Sequence, residues 1–371
     1  MTAPSSPQGS LTTPPFPWTL SVEGLGKLRG VEIPPRPLMM FVGENNTGKS
    51  YLLSLLWGLL TRGQRILEDM FLLPGAAEYR DCARQMLQCL KNGSIYPLSP
   101  EDFALLTRFL NEALEATKNR LLADIFSSTA ISAHSLRITL TPIPLVLELN
   151  RAEATPPQVV GQARGQETPG IRISLLEKSL ELLETDPLTL LPQLLGRILF
   201  GTRGAAGWPG AIYPEPAVFF PSSRTGFLLT YPALIARQLS LLAPQSASEQ
   251  PALSFPLPVV DFLQRLALPT GSVNAPFAVE AKFLEGAALG GRLEIRRRGE
   301  LAEFVYHPEV EAGKGDISLP MSLSSSLVTE LAPLIYIMGG TAARFLLIEE
   351  PEAHLHPHLQ RKLAQAVVRV I

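Results

Sequence analysis

The run Gly43, Glu44, Asn45, Asn46, Thr47, Gly48, Lys49, Ser50 fits the spacing GxxxxGK[ST] in full. Each residue type has a mechanical reason to be there. Glycine and asparagine accept the positive φ angles that turn successive backbone N–H groups inward as an anion nest, and a helix starting behind the loop adds the positive end of its dipole. Lys49 has the reach for β and γ phosphates, and the Ser50 hydroxyl is placed to ligate Mg²⁺. A chance glycine-rich turn is the bland alternative, and the order strand, glycine loop, helix weighs against it. The run predicts nucleotide binding.

A second set lies far downstream, where the apolar residues Phe345 to Ile348 are followed by Glu349 and Glu350. A buried strand of this kind can stand in the same sheet as the phosphate loop, so that Glu349 faces the Mg²⁺ shell and Glu350 orients water as general base for in-line attack on the γ phosphate. Alone, two glutamates after a strand would serve equally well to cap the next helix. With the phosphate loop upstream, the catalytic reading becomes the stronger.

Three other clusters invite chemistry less firmly. His354, His356 and His358 alternate, but Pro357 interrupts them and only strand geometry would put all three on one face for a metal. Cys82 and Cys89, seven residues apart on a helical stretch, suggest neither a disulfide framework nor a zinc site and fit a reducing cytoplasm. Arg292, Arg296, Arg297 and Arg298 form a basic cluster that reads as a solvated hairpin edge before a DNA contact.

The elements that must position these residues follow from pattern. Trp18 to Val22, Gly24 to Gly30 and Val31 to Ile33 alternate β-like runs with turns, and Leu38 to Val42 reads as a buried strand. Lys49 to Leu60 reads as a helix on a sheet, with a break at Thr61 to Gly63. From Arg65 to Gly210 the period becomes helical, as in Phe103 to Phe126 and Leu175 to Phe200, with a strand over Arg137 to Leu149. Neither long heptads nor a CxxC marks an extended coiled-coil arm. Strand signals return at Ala217 to Phe220 and in a hairpin of Arg292 to Arg297 and Leu301 to His307. A helix over Ser325 to Met338, a strand over Arg344 to Ile348 and a helix over Pro357 to Ile371 follow. The expected fold is α/β, with a mixed central sheet, a small antiparallel β lobe and a helical insertion. Its divisions are a disordered leader over 1–17, head segments over 18–64 and 211–371, and the insertion over 65–210. Gly161 to Gly170 and Ala243 to Pro251 read as exposed loops.

Bulk properties set the outer bounds. With 371 residues, 46% of them apolar, the chain can bury a large core, and a formal charge of −2 gives no overall drive toward nucleic acid. The uncharged stretch Leu331 to Ala343 falls short of the roughly 20 residues needed to cross a bilayer. A mean hydropathy of +0.17 is met either by a large core or by an apolar surface that a partner covers.

The segments GENNTGKS (Gly43 to Ser50), SSSLVTELAPL (Ser324 to Leu334) and LLIEEPEAHLHP (Leu346 to Pro357) together resemble the ABC-type ATPases related to OLD and SMC proteins, with an AAA-type ATPase core. The resemblance implies an ATP·Mg²⁺ site built from Walker A, an insertion, a serine-bearing signature helix, Walker B and a D-loop. It implies a homodimer in which Ser325 and Ser326 cover the nucleotide of the other head, with ATP as the glue. The implied setting is DNA repair or anti-phage defence, with a nuclease-type effector on a separate chain. Two positions depart from the pattern: Glu349 stands where aspartate is common, and Leu327 where a signature glycine is common. The pattern also places a strand and a switch histidine beyond Walker B, and none can be assigned before Ile371. A longer product, a partner supplying those strands, or a degenerate gene are the readings left open. FFPSSRTGF (Phe219 to Phe227) resembles the segment that follows the insertion, where Arg224 either meets phosphate or, the favoured reading, stabilises the lobe junction. Two other functions stay in view: a nucleotide-sensing scaffold with little hydrolysis, and a P-loop kinase, against which the segment PEAHLHP stands.

Overall fold

The computed structural model describes residues 16–68, 76–93, 95–150, 171–176, 183–200, 217–241, 255–267, 275–298, 301–309, 317–343 and 345–369. The expected loops at Gly161 to Gly170 and Ala243 to Pro251, and the leader up to residue 15, lie outside the described residues.

Strands β1 (Trp18–Leu25) and β2 (Leu28–Ile33) form an antiparallel hairpin in the register Leu20↔Ile33. Alternation along β1 sends Trp18, Leu20, Val22 and Leu25 inward. Beyond the hairpin comes α1 (Lys49–Glu68), which buries Leu52, Leu55, Leu56, Trp57, Leu59 and Leu60. The break expected at Thr61 does not occur, because the Thr61 hydroxyl donates to the Trp57 carbonyl at 2.7 Å and is satisfied inside the helix.

Against α1 packs α3 (Pro100–Phe126), while α2 (Ala76–Gly93) joins the same core beside β3 (Ile95–Pro97), with the Tyr79 ring of α2 on Phe109 of α3. A full capping box of Ser99 and Asp102 starts α3, with Pro100 at its first position. The single strand expected over Arg137 to Leu149 is two, β4 (Ser135–Leu140) and β5 (Leu145–Asn150), since Pro142 and Pro144 cannot donate to a ladder. β4 pairs antiparallel with β1, so the antiparallel lobe takes a strand from the region of the insertion. β5 lies between β3 and β6 (Ile171–Leu176), which includes Leu175 and Leu176. The helix expected from Leu175 therefore starts later, as α4 (Leu190–Phe200), behind a short 3₁₀ turn capped by Asp186.

A second core gathers under β7 (Ala217–Phe220), α5 (Arg224–Leu241), α6 (Leu257–Ala267), α7 (Ala278–Leu284), β8 (Gly291–Arg298), β9 (Leu301–Pro308), β10 (Leu319–Pro320), α8 (Ser326–Gly340), β11 (Phe345–Ile348) and α9 (Pro357–Arg369). β7 and β11 run parallel in the register Phe345↔Ala217 to Ile348↔Phe220. Period two divides this ladder between the cores. Ala217, Phe219, Phe345 and Leu347 face the α1 side, while Val218, Phe220, Leu346 and Ile348 face the α8 and α9 side.

The expected strand at Leu38 to Val42 is a correction. No ladder forms there, and Leu38, Met40 and Val42 are exposed, Val42 to 83%. Met39 and Phe41 still pack on the first core, so the alternation of a strand is present without a pairing neighbour among the described residues. β11 shows the matching feature: all four of its residues are only half-buried, whereas all four of β7 are buried.

Candidate functional site

The phosphate-loop run folds into a tight turn at the head of α1. Asn46 and Gly48 take positive φ angles of 62° and 104°, the conformations for which these residue types were singled out. Thr47 Oγ1 donates to the Glu44 carbonyl at 2.9 Å, and Leu52 N–H donates to the Gly48 carbonyl at 3.0 Å, closing the first helical turn. Lys49 Nζ folds back over the loop to donate to the carbonyls of Gly43 and Glu44 at 2.8 and 2.6 Å. The turn between β1 and β2 braces the loop from behind, with Leu28 against Gly48 and Gly26 against the Tyr51 ring.

At the end of β11, Glu349 N–H donates to the Phe220 carbonyl at 2.9 Å and extends the ladder by one residue. Its carboxylate accepts from Ser222 N–H through Oε2 at 3.2 Å, which leaves Oε1 for another partner. Glu350 is exposed and takes a left-handed φ of 41°, unusual for a residue with a side chain. Beneath the two glutamates lies Arg224, at the first position of α5 and 0% exposed. Its Nη1 donates to the carbonyls of Pro221 (3.2 Å) and Glu349 (2.7 Å), and its Nη2 to that of Glu350 (3.1 Å). The same guanidinium pairs with Glu330 of α8, also buried, whose other oxygen accepts from Thr225 Oγ1 at 2.9 Å. Burial pulls the Arg224 pKa down, and the Glu330 carboxylate opposes that shift. Between the two readings of Arg224, the geometry supports the junction.

These two ends meet in one cleft of about 340 Å³. Lys49, Ser50, Glu349 and Glu350 all line it, together with Leu38, Met40, Val42 and Leu53 and with Leu363 and Ala366 of α9. A serine hydroxyl and a carboxylate with an uncommitted oxygen are hard donors suited to Mg²⁺, so the residues present fit that ion. Ser325 and Ser326 do not line the cleft. Both are exposed at the start of α8, where Ser325 Oγ caps the helix by accepting from Val328 N–H at 3.4 Å.

The remaining candidates are accounted for locally. His354 sits in a turn at φ 59°, and His356 Nδ1 accepts from His358 N–H at 3.4 Å. Among the described residues no group of His, Cys, Asp and Glu side chains is arranged to hold a metal ion. Arg296 of the basic cluster is held by Glu294 on its own strand. Cys82 and Cys89 are free thiols on α2, and burial raises the pKa of Cys82. No described helix is long and apolar enough to cross a membrane.

Sequence reasoning missed Glu330 and the Ser222 amide. Glu330 carried a signal: it is the one charged residue in the otherwise apolar or hydroxyl-bearing stretch from Ser324 to Leu334. A carboxylate that deep in a helix asks for a buried cation. The Ser222 amide had none, since a backbone donor is invisible to residue type.

Residues 311–370 match the family model described as "AAA domain, putative AbiEii toxin, Type IV TA system". The matched segment holds α8, β11, Glu349, Glu350 and α9, while Gly43 to Ser50 lies outside it. The similarity supports a P-loop ATPase domain of AAA type, with the α/β fold, nucleotide and Mg²⁺ use such a domain implies. No curated protein and no solved structure matches the chain significantly.

Proposed function

We propose that this chain binds ATP with Mg²⁺ and hydrolyses it. In this reading Lys49 and the amides of Gly43 to Ser50 hold the β and γ phosphates, Ser50 and Glu349 ligate Mg²⁺, and Glu350 takes the proton of the attacking water. Bound ATP would be the electrophile, and an Mg²⁺ held by Ser50 and Glu349 would supply positive charge against that of the phosphates. The observation that carries the reading is the cleft itself, which gathers Lys49, Ser50, Glu349 and Glu350 from segments some 300 residues apart in sequence.

The further proposal concerns assembly. Two heads close head to tail in an OLD-like or SMC-like dimer, each bringing Ser325 and Ser326 onto the other's γ phosphate. The support is that these serines are exposed at a helix N-terminus and lie away from their own chain's cleft. Closure of cytoplasmic heads would drive a nuclease-type effector in repair or phage defence, while the net charge of −2 lends no support to DNA as a direct ligand.

A second reading rests on a different observation. The row Leu38, Met40, Val42 is exposed along the cleft, and β11 is only half-buried opposite. An open apolar wall beside the nucleotide suits a sensing scaffold that scarcely hydrolyses until a partner chain completes it.

Steady-state ATP turnover by the full chain over a range of protein concentrations, beside Glu350→Gln, separates the two. Specific activity that rises with concentration and vanishes in Glu350→Gln supports the dimerising ATPase. Tight ATP binding with no turnover in either protein overturns it in favour of the scaffold.

A further inference from the structure

We infer that Arg224 is a positioning residue for Glu350, and that through Glu330 it ties the backbone carrying that carboxylate to the seat of α8. The inference rests on the reading of Glu350 as the hydrolytic base. The two carbonyls that flank the Glu350 Cα, those of Glu349 and Glu350, are gripped by the two terminal nitrogens of one guanidinium at 2.7 and 3.1 Å. A planar fork that fixes both neighbouring peptide groups fixes φ and ψ between them. The result is the left-handed φ of 41°, which a residue with a Cβ keeps only where its surroundings over-determine it. Ala353 N–H adds a third hold by donating to the Glu350 carbonyl at 3.0 Å. These holds on the backbone fix the direction of the Glu350 Cα–Cβ bond, and so the region its carboxylate can reach.

What sets the fork is α8. Arg224 pairs with Glu330, and Thr225 joins both Glu330 (2.9 Å) and Thr329 (3.1 Å). Thr329 Oγ1 also lies 3.0 Å from the carbonyl of Ser326, so its single proton is shared between that carbonyl and Thr225 Oγ1. A set of part-buried polar contacts thus runs from the first turn of α8 to the backbone of Glu350. A shift of α8 is felt at the base without passing through the nucleotide.

The test uses the full chain with Arg224→Lys and Glu330→Gln. A lysine nitrogen cannot hold two carbonyls in the fork geometry, and glutamine keeps the Thr225 bond while removing the charge that anchors the fork. If the lysine variant fails to fold, the milder glutamine variant carries the test alone. Turnover is normalised to folded, nucleotide-binding sites, ATP affinity is measured separately, and amide exchange is followed over residues 349–356. The expected result is a kcat per site about ten- to hundredfold lower. ATP affinity stays within about twofold, and exchange in 349–356 becomes faster. A merely structural Arg224 would lower the folded fraction while leaving kcat per folded site and loop exchange unchanged, and that outcome overturns the inference. If the wild-type protein binds ATP without turnover, the hydrolytic reading fails on its own. Loop exchange then still decides whether Arg224 sets the backbone of Glu350: faster exchange sustains the positioning role, and unchanged exchange overturns it.

Discussion

A Cβ built on Gly48 would lie 2.8 Å from Cγ of Leu28, so the start of β2 and the phosphate loop touch with no room for a side chain between them. Gly48 also stands at φ 104°, where any side chain is strained. Two independent reasons therefore require glycine here, and they separate experimentally. Gly48→Ala is expected to lower stability by about 1–3 kcal/mol and to abolish ATP binding, read by thermal melting and nucleotide titration. Adding Leu28→Ala removes the clash but not the strain, so it should recover part of the stability and none of the binding. Full recovery of ATP affinity in the double variant would show that space alone, and not backbone conformation, makes the loop.

The contrast between Gly48 and Arg224 shows what could be read from the sequence. Gly43 to Ser50 and Phe345 to Glu350 are local: their spacing carries the loop, the strand and the helix that follows, and the structure brings them to one cleft. Most short elements with strong period were legible for the same reason, such as β7, the β8–β9 hairpin and α8. The failures are non-local. Leu38 to Val42 has the alternation of a strand, but a strand also needs a neighbour, and nothing in five residues announces whether one is there. The fork of Arg224 depends on partners 125 and 126 positions away just beyond β11, and on Glu330 of α8, so only the lone charge of Glu330 in its apolar helix hinted at it. Leu175 and Leu176 went to a strand because pairing with β5 outweighed a helical period that begins in earnest at Leu190.

Helix α1 lies close on α3 at Gly58, where an added Cβ would meet Ile125 Cδ1 at 2.1 Å and Cγ1 at 2.4 Å. Helix propensity favours alanine over glycine by about 1 kcal/mol. Overpacking opposes it by about 1–3 kcal/mol. Contact this short puts the balance on the side of overpacking. Gly58→Ala should lower the urea midpoint, and the loss should shrink in an Ile125→Ala background, where the added methyl finds the vacated space. Equal losses in the two backgrounds would mean that the helices separate easily and that their closeness is not what Gly58 provides.

At the β8–β9 hairpin, Glu294 lies between Arg296 and His307, and hydrogen bonds from both, Arg296 first, hold its carboxyl down at about 2. The folded pKa is below the unfolded one, so the native state takes up this proton later than the unfolded chain. The stability that follows is complete above the ordinary carboxylate range and is lost as pH falls toward 2. Carbon-13 NMR of the Glu294 side chain should give a midpoint near that value. In Arg296→Ala the midpoint should climb by more than in His307→Gln, because the guanidinium is the larger cause. A larger climb in His307→Gln would reassign the carboxylate to the cross-strand imidazole. The short link to His307 would then tie β8 to β9, while the Arg296 contact would be an incidental pairing on the open edge of the strand.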